Sequence, residues 1–161
     1  MAQSFFIPAT IPGFNEFIRL AGQLNMGAFA QGGPRVNRLN ELKKKIQSRI
    51  QMELKTKELK PMLSAYFFFH YLEKSRARDK DNIASIAKKI IFDALVEEGI
   101  LRNDGWFEIA GWQEQFSVSK ARPGIHVSMM EPGFVKAGII ATTYECVTNE
   151  LEKWQRLKGR K

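Results

Sequence analysis

Two aspartates, Asp79 and Asp81, stand one residue apart in the stretch RARDKDN, residues 76–82, directly behind Arg76 and Arg78. Carboxylates are the hard oxygen ligands that Mg²⁺ or Mn²⁺ take, and guanidiniums hold phosphate in a bidentate grip. In an extended segment, side chains two apart point to the same side, so this pair can present both carboxylates to one cation. Asp104, in another loop beyond an intervening helix, is a third candidate ligand. A metal held there would activate water and offset the charge that builds on a scissile phosphate. The same residues also have a plain structural reading. Asp81 or Asn82 suits the N-cap of the following helix, Asp79 can pair with Arg76 or Lys80, and Asp104 with Gly105 can be a turn.

The elements that must position these residues are legible in the hydrophobic pattern. Phe5, Phe6 and Ile7 read as a short strand stopped by Pro8. Residues 22–34, with Gly22, Gly27, Gly32, Gly33 and Pro34, read as a flexible loop. From Asn37 to Lys57, Leu39, Leu42, Ile46, Ile50 and Leu54 recur at helical spacing, with Lys43, Lys44 and Lys45 on a basic face. Leu63 to Glu73 is nearly all aromatic and apolar, as in a central strand covered on both faces. Ile83, Ile86, Ala87, Ile90, Ile91, Ala94 and Leu95 predict a buried helix ending at Gly99. Two strands are expected between Trp106 and Met130, and Ile140, Tyr144, Val147, Leu151 and Trp154 form the seam of a helical tail.

At 161 residues, 44% of them apolar, the chain can bury one core, and a single domain with a tail is expected. Lys and Arg outnumber Asp and Glu by 25 to 17, a formal charge of +8 that points to a polyanionic partner. A lone cysteine, Cys146, excludes an internal disulfide framework and a Cys-rich zinc site, and fits a reducing compartment. With only His70 and His126, a histidine-based metal cluster is not expected. His70 lies within the aromatic strand and is expected to be buried and hydrogen-bonded. No apolar run approaches the roughly 20 residues of a membrane span, and the N-terminus shows no secretion signal, so a cytoplasmic protein is expected.

The stretch RARDKDNIASIAKKIIFDALVEEGILRNDGW, residues 76–106, resembles the core signature of the RusA family of Holliday junction resolvases, usually carried by phages and prophages. There a basic run precedes Asp-x-Asp-Asn, then comes a helix with a lysine four residues before Asp-Ala-Leu, then a glycine and a final aspartate. The resemblance implies that Asp79, Asp81 and Asp104 bind the metal. It also places Lys89, four before Asp93, on the catalytic lysine, with Lys88 as the open alternative, and makes Arg78 a residue that positions phosphate. Phe5 to Gly13 is similar to the family's first strand and turn, and Ile125 to Glu131 to its last strand. Three departures stand out: the Asp81 to Asp93 spacing is about one helical turn longer, Asn103 stands where some members carry an acid, and the tail beyond Pro132 has no counterpart.

The family likeness further implies an α+β fold, a small mixed sheet flanked by helices, over residues 1–134, while helical spacing and the basic end predict an amphipathic helix and basic tail over 135–161. The implied function is a homodimeric, Mg²⁺-dependent endodeoxyribonuclease, with Mn²⁺ as the alternative ion, that resolves branched DNA by paired nicks in recombination and repair. Arg76 and the face of Lys43, Lys44 and Lys45 would contact the DNA backbone. Two rivals stand beside it: a non-catalytic basic DNA-binding protein, and a nuclease of the same fold acting on flaps or single strands. Trp106 and Trp112 are expected in core or interface packing, with base stacking as the alternative. Chain geometry adds a constraint. A helix from Ile83 to Glu98 carries the chain about 24 Å from Asp81, and residues 99–104 recover at most roughly 20 Å. Either that helix is shorter, or Asp104 approaches the aspartates of a second subunit.

Overall fold

The computed structural model describes residues 2–20 and 38–132. The glycine-rich loop of residues 22–34 and the tail of residues 135–161 lie outside the described residues. Strand β1 (Ala2–Pro8) leads into helical residues 14–20 (α1). After these come helix α2 (Arg38–Lys55), strand β2 (Ala65–Glu73), helix α3 (Lys80–Glu97), and strands β3 (Ile109–Val118) and β4 (Gly124–Met130). The four strands make one mixed sheet in the order β1-β4-β2-β3, so the fold is α+β. Both pairings of β4 are antiparallel, whereas β2 and β3 run parallel.

Strand β2 is central, as its unbroken apolar composition predicts, and nearly all of it is buried. Phe67 and Phe69 meet the ring of Phe92 on α3 edge-on, at centroid distances of 5.0 and 5.8 Å. Helix α3 presses Ile83, Ala84, Ala87, Ile90, Ile91, Ala94 and Leu95 into the same core. Helix α2 adds Ile46, Ile50 and Leu54 and packs on α3 and β1. Gly99 ends α3 in the left-handed region at φ 70°, which lets the Ile100 N–H return to Leu95 O at 2.9 Å. Glycine is obligatory at position 124, where any Cβ would lie 2.4 Å from the Ile7 carbonyl oxygen across the β1–β4 pair.

Parallel strands joined by a helix dictate where the candidate residues fall. A parallel pair needs a crossover connection, and here α3 supplies it. Residues 74–82 therefore leave the C-terminal end of β2, while the chain after α3 must return to the opposite end, where Ala65 pairs with Ile109. Helix α3 begins three residues earlier than the apolar periodicity predicts and runs 18 residues, about 27 Å. The start of α3 and the loop after it are thereby held at opposite ends of one helix. No helix among the described residues is long and apolar enough to cross a membrane.

Candidate functional site

Asp79 occupies the N-cap position of α3 with an extended backbone (φ −70°, ψ 144°), yet its carboxylate makes no capping hydrogen bond. Neither Asp81 nor Asn82 is the cap, because Lys80 already starts the helix. Asp81 lies in the first helical turn and not in an extended segment, so the alternation of a strand does not bring the two carboxylates together. The cap and first-turn positions put both in the field of the helix N-terminus, where free backbone N–H groups and the positive end of the helix favour negative charge. Both residues are exposed, and neither carboxylate has a hydrogen bond or ion pair among the described residues. The suggested pairing of Asp79 with Arg76 or Lys80 does not occur.

The backbone around this pair is tightly held by residues that come from far away in the sequence. Asn82 Oδ1 accepts the Asn15 N–H at 2.8 Å. Gly13 lies so close that a Cβ there would sit 2.9 Å from the Asn82 amide nitrogen. Arg78 donates through Nη1 to Ile11 O at 2.9 Å and to Glu16 at 3.0 Å. Its Nη2 reaches both oxygens of Glu73 at 2.7 Å, with Nε on the second at 3.1 Å. The Gly13 N–H, and then the Arg78 guanidinium, hold the Glu16 carboxyl below its ordinary value. Arg78 is therefore mostly buried and clamps β1–α1 to the end of β2, while Arg76 is exposed.

A second group lies along the middle of α3. Lys89 Nζ bridges Asp93 at 2.9 Å and Asp104 at 2.5 Å, and Lys43 on α2 reaches the other oxygen of Asp93 at 2.5 Å. Hydrogen bonds to Asp104 and then Asp93 raise the Lys89 pKa, and the Lys89 ammonium lowers that of Asp104. The Asp104 N–H donates to Asn103 Oδ1 at 2.9 Å. Lys88 turns to the opposite side, where it pairs with Glu114 and lies 4.7 Å over the ring of Trp112. An open cleft of about 410 Å³ between α2 and α3 is lined by Asn40, Lys43, Lys44, Gln47, Asp93 and Asp104. Lys44 and Lys45 are exposed on α2.

Lys89 stands eight residues past Asp81, about 12 Å along the helix, and Asp104 is bound to it there. Among the described residues no three His, Cys, Asp or Glu side chains of one chain assemble into a group that could hold a metal ion. The crossover connection accounts for this separation. Mg²⁺ keeps several waters and commonly takes one or two carboxylates from protein, the number that the start of α3 exposes.

Sequence reasoning missed Glu16, Glu73 and Glu108. Buried Glu108 binds exposed Arg102 at Nε (3.0 Å) and Nη2 (2.8 Å), fixing the loop that carries Asp104. The signal was faint: one acid at the end of an apolar strand and one beside Phe107. Trp106 is fully exposed and Trp112 half-exposed, so neither belongs to the core. His70 is buried as expected, with Nε2 2.7 Å from Ser117 Oγ, and burial lowers its pKa. No protein-family model matches the chain, and no curated protein matches it.

Proposed function

We propose that the chain is a metal-dependent endodeoxyribonuclease that nicks branched DNA in pairs as a homodimer, in keeping with the RusA-like motif of residues 76–106. The observation that carries this reading is the pair of exposed, unpartnered carboxylates at the clamped start of α3, in a chain of net charge +8. Asp79 and Asp81 would hold Mg²⁺ or Mn²⁺, which supplies Lewis acidity and an activated water when bound. Arg78 and Asn82 keep the two carboxylates in place through β1 and α1. Arg76 and the exposed Lys44 and Lys45 meet the DNA backbone, with Lys43 available once it leaves Asp93, so binding weakens steeply with salt. Lys89, about 12 Å along α3 from Asp81 in its own chain, offers its ammonium together with Asp104 at the aspartates of a second copy. Asp104, held by Lys89 in its own chain, takes its metal-binding role at the aspartates of a second copy, a contact that also sets two cuts symmetrically.

A second reading is favoured by one observation, the lack of a three-carboxylate group within the described residues. In it the protein is a non-catalytic basic DNA-binding protein of the cytoplasm, and the aspartates serve only the helix dipole. Incubating the protein with a synthetic four-way junction and with its linear arms, with and without Mg²⁺, separates the two. The nuclease reading expects paired, symmetric, Mg²⁺-dependent nicks that disappear in Asp81→Asn. Equal binding by both proteins, with no cutting in Mg²⁺ or Mn²⁺, assigns the second reading.

A further inference from the structure

Trp106 carries the largest exposed aromatic surface among the described residues, with a relative exposure of 101%, and its neighbour Phe107 is 65% exposed. Exposing a whole indole to water forgoes a large favourable burial term, so its place on an ordered loop calls for a partner. The loop is not loosely attached. Glu108, only 3% exposed, accepts both Arg102 donors, and a Cβ at Gly105 would meet its carboxylate at 3.2 Å. The Ile109 N–H donates to Gly105 O at 3.0 Å, and the Ala65 N–H to Glu108 O at 2.8 Å, tying both ends of the turn to the sheet. Backbone anchored on each side of Trp106 presents its indole to solvent at a fixed point of the fold.

We propose that Trp106 is a stacking surface for an unpaired nucleobase, a role that rests on the nucleic-acid reading above and deepens it. Every base offers a π-face, so stacking on an aromatic residue serves substrates of varied sequence. The surroundings fit a nucleotide better than a second protein surface. Trp106 follows Arg102, Asn103 and Asp104, and Arg102 is itself 78% exposed. Asp104 shares a cleft with the acids Asp93 and Glu97 and with Lys44, an exposed ammonium that has no ion pair among the described residues and can meet a phosphodiester. Trp106 lies two residues beyond Asp104 on the loop whose Asp104 pairs with Lys89, so a base stacked on it is held by that same loop.

Fluorescence polarisation with labelled DNA, in EDTA and without metal, tests this directly. The probes are a single-stranded oligonucleotide, a four-way junction and a fully paired linear duplex. Trp106→Ala is expected to weaken binding to the single strand and the junction by on the order of tenfold, to leave duplex binding unchanged, and to be largely rescued by Trp106→Phe. Unchanged affinity for all three probes overturns the proposal. A shift of Trp106→Ala from dimer to monomer on size exclusion, with affinity for all three probes falling together, also overturns it and assigns the indole to a protein interface. Cleavage is read separately, in the Mg²⁺ junction assay above, so the two readings fail separately. A chain that never nicks yet shows the selective loss keeps the stacking surface and loses the nuclease. A chain that nicks with Mg²⁺ but binds all probes equally well after substitution loses only the stacking surface.

Discussion

The first turn of α3 and its middle treat charge in opposite ways. At the middle, Lys43, Asp93, Lys89 and Asp104 alternate in sign, each neutralised by a neighbour at 2.5 to 2.9 Å. At the start, Asp79 and Asp81 have no such partner among the described residues, although Arg78 lies beside them. That arginine is committed to Glu73, Glu16 and a carbonyl, and so fixes the backbone without quenching the carboxylates. On the nuclease reading, a held backbone with unpaired carboxylates is where a cation from solution would bind, whereas the mid-helix chain is self-sufficient until something displaces one of its members.

The contrast can be broken most sharply at the open end. Asp79→Asn or Asp81→Asn is expected to lower Mg²⁺-dependent nicking by on the order of a hundredfold or more. Because both residues are exposed, stability should move within about 0.5 kcal/mol, a split read by a cleavage gel beside a urea melt. Next comes the clamp. Arg78→Ala leaves the Glu73 carboxylate nearly buried without its cation, and is expected to cost about 3 kcal/mol. Arg78→Lys should recover only part of this, since an ammonium cannot reproduce the fork.

Gly13→Ala tests the same clamp from the other side. Its Cβ would press on the Asn82 amide, and the expected cost is about 1 to 2 kcal/mol, seen as a lower urea midpoint. At the self-neutralised middle, Lys89→Ala removes a half-exposed ammonium and should cost only a few tenths of a kcal/mol. The same variant should impair nicking far more than it impairs folding.

Acidification adds a test on the sheet. Burial depresses the folded-state pKa of His70, so the unfolded chain binds the extra proton first. The neutral imidazole's contribution is complete above an unfolded value of about 6.5, and stability falls as pH drops below that. Urea midpoints taken between pH 7 and pH 5 should decline in the parent chain and flatten in His70→Gln.

Much of the scaffold was legible because it rests on local periodicity. Ile83 to Leu95 repeat at helical spacing and are buried, and the aromatic run from Ala65 to Leu72 is the central strand. The start of α3 was not, since Lys80, Asp81 and Asn82 carry no apolar signal, and a hydrophobic pattern first registers at Ile83. Arg78 pairs with Glu16 across 62 residues and with Ile11 across 67, contacts that no local window contains. The separation of Asp104 from Asp79 and Asp81 depends on the parallel pairing of β2 with β3, a tertiary fact. Trp106 lies outside the core because the loop that carries it is anchored by Glu108, whose only sequence signal is its place beside Phe107.

Isothermal titration of Mn²⁺ into the metal-free protein, beside Asp79→Asn and Asp81→Asn, asks most directly whether the start of α3 receives a divalent ion. Saturable binding in the parent chain that is lost or strongly weakened in both variants, with Lys43→Ala binding as the parent does, is the predicted result. No binding heat in any of the proteins, or equal binding in all of them, contradicts it.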